Sequence, residues 1–324
     1  MPPLLEIKNL KTHFSTPRGT VKAVDGVDIT LEAGDTLGIV GESGCGKTVL
    51  ALSILRLIPI PPGRVVSGQI LFEGRDLLQL TEDDMRKVRG RDISMVFQEP
   101  MTSLNPVFKV GAQIAEGIRI NQPVSRRQAQ QRAVDMLRLV GIPAPEVRAD
   151  DYPHQMSGGM RQRVMIAMAL SCNPRLMLAD EPTTALDVTI QAQIIDLINR
   201  LKSEIGASVI LVTHDLGVIA EAAQRVAVMY AGRIVEQARV SDLFTTPLHP
   251  YTLGLMLSIP RMDQKKNARN RLAVIPGSIP PLYNLPAGCS FQDRCADVMP
   301  ICRERYPGLT VPLFNHQVRC WKYE

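Results

Sequence analysis

Gly41-Glu42-Ser43-Gly44-Cys45-Gly46-Lys47-Thr48 is the stretch whose reading decides the fold. A glycine, four residues, then Gly-Lys and a hydroxyl make the pattern of a loop that cradles phosphate with backbone N–H groups. Before it, Thr36 to Val40 is short, apolar and β-branched, as a buried strand is, and after it Val49 to Leu57 reads as an apolar-faced helix. The loop therefore joins a strand to a helix. Its glycines let the backbone curl until several N–H groups converge on one anion, and the helix adds the positive end of its dipole. Lys47 is placed to neutralise the outer phosphates and the Thr48 hydroxyl to take one magnesium position, with Gly41 through Val49 read as the nucleotide contacts. A Gly-rich turn that binds nothing is the plain alternative, and it leaves the fully matched pattern unexplained. Alone, the loop says only that a nucleoside triphosphate binds.

The chain has 324 residues, 45% of them apolar, enough for a sizeable core in one large or two smaller domains. A net charge of +5 without a long basic run argues against a nucleic-acid partner and leaves an anionic nucleotide or a membrane surface open. The start, Met1-Pro2-Pro3-Leu4-Leu5-Glu6, lacks a charged region followed by a long apolar one, and no stretch has the roughly 18 apolar residues of a spanning helix. The expectation is a cytosolic protein, held at a membrane only through another chain.

Leu5 to Leu10, Val21 to Val24 and Val27 to Leu31 alternate apolar and polar residues, with turn signals at Gly19 and Asp25-Gly26 between them, and read as antiparallel strands. Phe14 offers a flat face to a purine, with packing in the sheet as the equal alternative. Gly68 to Phe72 and Ile93 to Phe97 are further strands, and Gln98 at the end of the second is placed to reach a metal or a water. Between Pro106 and Ser157 the pattern turns helical, notably at Arg126 to Val140, with Ser125 as its cap. Ser157-Gly158-Gly159 then opens an apolar helix and forms a second anion site. Leu176 to Ala179 runs into Asp180 and Glu181, placed to hold magnesium through water and to polarise an attacking water. Pro182 to Asp187 is a tight connection into a helix at Thr189 to Leu201, and the strand Val209 to Thr213 delivers His214.

Taken in order, the phosphate loop, Gln98, Ser157-Gly158-Gly159, Asp180-Glu181, Leu186-Asp187 and His214 closely resemble the ATPase subunit of an ATP-binding-cassette (ABC) transporter. The resemblance spans about Leu4 to Gln237. It implies an α/β P-loop cassette at residues 1–240, with a mixed core sheet, an antiparallel β subdomain and an inserted helical subdomain at about 99–172. It implies ATP sandwiched head to tail in a dimer: Lys47 on phosphate, Thr48 and Gln98 on Mg2+ with Asp180 behind, Glu181 as general base and His214 as switch. Ser157, Gly158 and Gly159 would reach the partner's ATP, and Asp187 would link the two sites. Met156 and Met160 depart from the common Leu-Ser-Gly-Gly-Gln signature while its anion-binding centre is intact. Tyr152 to Ala169, Gln98 to Pro106 and Asp187 to Gln193 resemble the peptide-importer branch. There, Met101 to Ile114 would meet the coupling helix of a membrane subunit.

Beyond Gln237 the composition shifts to Pro, Gly, Arg and Cys, and Leu248-His249-Pro250-Tyr251-Thr252 resembles the C-terminal segment, residues 241–324, of di- and oligopeptide importer ATPases. Cys289, Cys295, Cys302 and Cys320 supply four soft donors, which suit zinc or a [4Fe–4S] cluster. No Cys-x2-Cys pair is present, which lowers zinc, and the resemblance favours the cluster; a metal-free cysteine group is the alternative. Cys45 and Cys172 read as packing. The function implied is ATP hydrolysis driving peptide import at the cytoplasmic face of the cell membrane. The partners implied are a second ATPase subunit, either another copy or, as is common in the peptide-importer branch, a different chain, with two permease subunits and an extracytoplasmic solute-binding protein. Import of nickel or another small solute, or a soluble ATPase of DNA repair or translation, are the other readings.

Overall fold

The computed structural model describes residues 2–99, 103–184, 186–258 and 274–324. The chain forms two compact units, one of residues 1–30, 37–78 and 213–324 and one of residues 31–36 and 79–212. The first carries two sheets. In one, the strand order is β2 (Gly19–Leu31), β1 (Leu5–Thr16), β4 (Gly63–Phe72), β5 (Arg75–Asp76), with β1, β4 and β5 paired antiparallel. The other runs β11 (Thr310–Leu313), β12 (His316–Val318), β10 (Arg233–Arg239), β9 (Arg225–Tyr230), β3 (Thr36–Val40). Here β3 and β9 are parallel and the remaining pairs antiparallel, so the sheet is mixed. Every residue of β3 is buried, and its Thr-Leu-Gly-Ile-Val run has the unbroken apolar character that burial on both faces demands.

The second unit carries three parallel strands in the order β8 (Ser208–Thr213), β7 (Leu176–Asp180), β6 (Ile93–Val96). β7 and β8 are buried throughout. Its helices include Val110–Asn121 and Arg126–Leu139. Ser125 caps the latter, accepting the Gln128 N–H while the Gln128 side chain accepts the Ser125 N–H, a reciprocal box that fixes where the helix begins.

One sequence expectation is corrected. The strands expected at Val21 to Val24 and Val27 to Leu31 are one strand, β2, and Asp25-Gly26 is no turn. Gly26 absorbs the local distortion at φ 82°, while Asp25 is buried and gripped by Arg233 at 2.6 Å, 208 positions away. Burial alone would raise Asp25, yet the Arg233 guanidinium holds its carboxyl below the usual range. The C-terminal segment adds β11 and β12 to the mixed sheet, pairing Val318 with Glu236 of β10.

A fully buried carboxylate fastens that tail. Glu236 accepts the N–H groups of Leu248 at 2.7 Å and His249 at 2.9 Å and shares a 2.6 Å hydrogen bond with His316 Nε2. Burial lowers His249 to about 4 against the pull of Glu236, so its ring is neutral at physiological pH and accepts the Tyr251 N–H. Stripping one member from a buried polar set leaves the others unsatisfied, which costs about 3–5 kcal/mol. Glu236→Ala is therefore expected to destabilise the chain by about 3 kcal/mol and to expose residues 241–324 to limited proteolysis; unchanged melting and cleavage would remove Glu236 as the anchor.

Candidate functional site

In the first unit, Gly41 to Thr48 passes from β3 into the helix Lys47–Ile54. Gly44 at φ 80° and Gly46 at φ 111° supply the left-handed backbone that the curl requires. Space is as restrictive as conformation: a Cβ on Gly46 would lie 2.0 Å from the Ala23 carbonyl, and one on Gly41 2.2 Å from that of Met229. Lys47 is buried, and its Nζ donates to the carbonyls of Gly41 at 2.8 Å and Glu42 at 3.1 Å, which holds the ammonium over the loop. Ser43, Gly44 and Thr48 are exposed, Val49 half-buried. Cys45 is buried and its thiol pushed up by desolvation, which makes it packing. Phe14 is half-buried on β1, opposite Gly63, where a Cβ would come within 2.7 Å of its ring. The Thr12 and Ser53 hydroxyls, 2.8 Å apart, tie β1 to the helix after the loop. His214 follows β8 and is exposed.

In the second unit, Asp180 ends β7 and is buried, and Glu181 follows with φ 45°. The Glu181 N–H donates to the Val212 carbonyl at 2.8 Å, which turns its side chain out of the strand direction. Its carboxylate accepts Gln98 Nε2 at 3.1 Å and Thr184 Oγ1 at 2.8 Å. Gln98 and Glu181 are thus brought together, and Thr184 is a neighbour that sequence reasoning passed over, although its hydroxyl lies three residues from Glu181. Ser157 caps Gly158–Leu170 by accepting the Met160 N–H at 3.3 Å, and Asp187 caps Val188–Ile205 by accepting the Ile190 N–H at 2.9 Å. A Cβ on Gly159 would meet Ile190 at 3.1 Å, so the Ser-Gly-Gly turn packs against the helix that Asp187 opens. Gly158 is looser, 3.9 Å from Leu186 by the same measure. Met101 and Thr102 lie outside the described residues.

The tail reaches the phosphate loop within the first unit. The Glu42 N–H donates to Tyr251 Oη at 2.9 Å, and Arg294 grips the Glu42 carboxylate at 2.6 and 2.8 Å. No sequence signal joins residues 252 positions apart. The four tail cysteines are all free thiols, and burial, reinforced by the neighbouring Cys302, Cys320 and Cys295, pushes Cys289 up to about 11. They converge, yet among the described residues no group of three or more His, Cys, Asp or Glu side chains is arranged to hold a metal ion. The [4Fe–4S] cluster and its zinc alternative are not supported by this arrangement.

Comparison with known proteins places these features in a family. Residues 24–184 match the ABC transporter model, and residues 235–302 match the oligopeptide/dipeptide transporter C-terminal region. A probable peptide ABC transporter ATP-binding protein of Sinorhizobium fredii is 55% identical over 98% of this chain and 95% of its own length. An oligopeptide transport ATP-binding protein of Bacillus subtilis is 50% identical over 100% and 98%. Among solved structures, a dimeric post-hydrolysis ATP-binding cassette bound to ADP and Pi superposes with TM-score 0.66 at 27% identity, covering 73% of this chain and 98% of that one.

The closed space at Gly46 yields a direct expectation. Gly46→Ala should fold but weaken ATP binding at least about tenfold, read by titration of the full chain with ATP; wild-type affinity would show that the loop tolerates a Cβ there.

Proposed function

This chain belongs to the ATP-binding subunits of ABC transporters, in the branch with the oligopeptide/dipeptide C-terminal region, and we infer that its ATP hydrolysis drives import of di- or oligopeptides across a membrane. The observation that carries the reading is the presence, in one chain, of a complete phosphate loop and that C-terminal region. Relatives at 50–55% identity are named for peptide transport, which favours peptide over nickel or another small solute, and a transporter over a soluble ATPase.

In the proposed reaction the loop N–H groups from Gly41 to Thr48 and the Lys47 ammonium bind the triphosphate, with Phe14 stacked on the base. The family resemblance gives Mg2+ to Thr48, Gln98 and Asp180, whose hydroxyl, amide and carboxylate oxygens are each the hard donors that this ion takes. That ion, when bound, screens phosphate charge. Glu181 orients the attacking water and takes its proton, and the Gln98 amide and Thr184 hydroxyl hold the carboxylate for that task. His214 contacts the γ-phosphate. Ser157, Gly158, Gly159 and Asp187 serve the ATP of a second subunit, for one chain carries one copy of each half-site. ATP-driven closure of the two subunits and reopening after hydrolysis would supply the stroke.

The cassette is assigned to residues 1–240, with the helical part at about 99–172, and the extension to 241–324. The proposed partners are a different ATP-binding subunit, two permease subunits and, through them, an extracytoplasmic solute-binding protein. Val107 and Phe108 are 70% and 55% exposed, beside a hollow lined by Phe108, Ala112, Ala115, Glu116, Arg119 and Gln130. That surface supports docking of a permease helix along Met101 to Ile114. Among the described residues no helix is long and apolar enough to cross a membrane; the proposed location is the cytoplasmic face of the cell membrane, reached through the permease.

Glu181→Gln in the assembled transporter is expected to keep ATP affinity and lose turnover by about 10²–10⁴-fold. Near-wild-type hydrolysis would strip Glu181 of the role of base. The iron–sulfur reading of Cys289, Cys295, Cys302 and Cys320 rests on their grouping in the sequence and on the family resemblance. Anaerobically purified protein that is brown, with stoichiometric iron and sulfide, would support it, whereas colourless protein would overturn it.

A further inference from the structure

Glu42 is an awkward residue for its position. It is the second member of a loop that receives polyphosphate, where an ionised carboxylate repels the ligand that the neighbouring Lys47 attracts. The structure shows how that charge is handled. Arg294 Nη1 and Nη2 meet Glu42 Oε2 and Oε1 at 2.6 and 2.8 Å, a two-pronged contact that both neutralises and orients the carboxylate. The guanidinium is itself fixed from the tail side. Its Nε donates to the Pro276 carbonyl at 2.8 Å, Nη2 to that of Ile275 at 3.5 Å and Nη1 to Tyr230 Oη at 3.4 Å. The Arg294 side chain is 5% exposed and that of Glu42 30%, so water screens the pair only in part. The main chain of Glu42 is held as well: its N–H donates to Tyr251 Oη, and its carbonyl accepts Lys47 Nζ.

We propose that Arg294 is a positioning residue of the nucleotide site, cancelling the charge of Glu42 and pinning its carboxylate so that Lys47 and the loop N–H groups meet ATP without an opposing anion. The C-terminal extension is then part of the ATP-binding apparatus. The effect runs through Glu42, and from this follows a signature that a merely structural contact would not give. Removing Arg294 is harmful only while Glu42 carries a charge.

The test is a double-mutant cycle on the full chain, reading MgATP affinity by calorimetry with folding checked by thermal melting. Arg294→Gln should weaken ATP binding about tenfold, equivalent to about 1.4 kcal/mol. Adding Glu42→Gln should restore affinity to within about twofold of the Glu42→Gln single variant. Arg294→Lys, which keeps the charge and loses the fork, should fall between wild type and Arg294→Gln. Affinity within twofold of wild type for folded Arg294→Gln would overturn the proposal, as would a double variant no tighter than Arg294→Gln. If Arg294→Gln alone does not fold, Glu42→Gln and the double variant decide: equal affinities support the proposal, and a tenfold gap between them overturns it.

Discussion

The phosphate loop has no room for a side chain at Gly41 or Gly46, and much of the first unit is arranged by that constraint. A Cβ at either position would collide with a backbone carbonyl, Met229 of β9 in one case and Ala23 of β2 in the other. Backbone carbonyls cannot swing aside as side chains do, so the loop's path is set by β2 and β9 as much as by its own residues. The Gly232 N–H closes the same region by donating to the Cys45 carbonyl at 2.8 Å. The result is a preorganised cradle with Lys47 already drawn over it, which is what binding a multiply charged ligand requires if ordering costs are to stay small.

A comparable logic governs the second unit. Glu181 is held in a left-handed conformation that non-glycine residues seldom adopt, and its N–H bond to Val212 sustains it. The strained residue is the proposed base, with its carboxylate tethered by Gln98 and Thr184. Ser157 and Asp187 each cap a helix with a side-chain oxygen, and the two helix starts touch through Gly159 and Ile190. The elements proposed to serve a partner's ATP are therefore mechanically joined to one another.

What the sequence disclosed was what local chemistry encodes. The phosphate loop, the buried strand Thr36–Val40 and the Ser125 cap are set by adjacent residues, and each was legible. Asp25-Gly26 was misread because a turn signal and a buried ion pair look alike until Arg233 is brought to it. The tail's attachments were illegible for the same reason: Glu236 with Leu248, His249 and His316, and Glu42 with Tyr251 and Arg294, are not pairings of adjacent residues. The spacing of the four cysteines suggests a ligand set, and their placement gives converging thiols with, among the described residues, no group of three or more His, Cys, Asp or Glu side chains arranged to hold a metal ion.

The account's central claim is that this chain couples ATP hydrolysis to peptide movement. Its most direct measurement is uptake of a labelled peptide into proteoliposomes bearing the permease and solute-binding partners, with this chain either wild type or Lys47→Ala. The account predicts ATP-dependent uptake with the wild-type chain and none above background with the variant. Equal uptake with both, or uptake of the peptide without ATP, would contradict it.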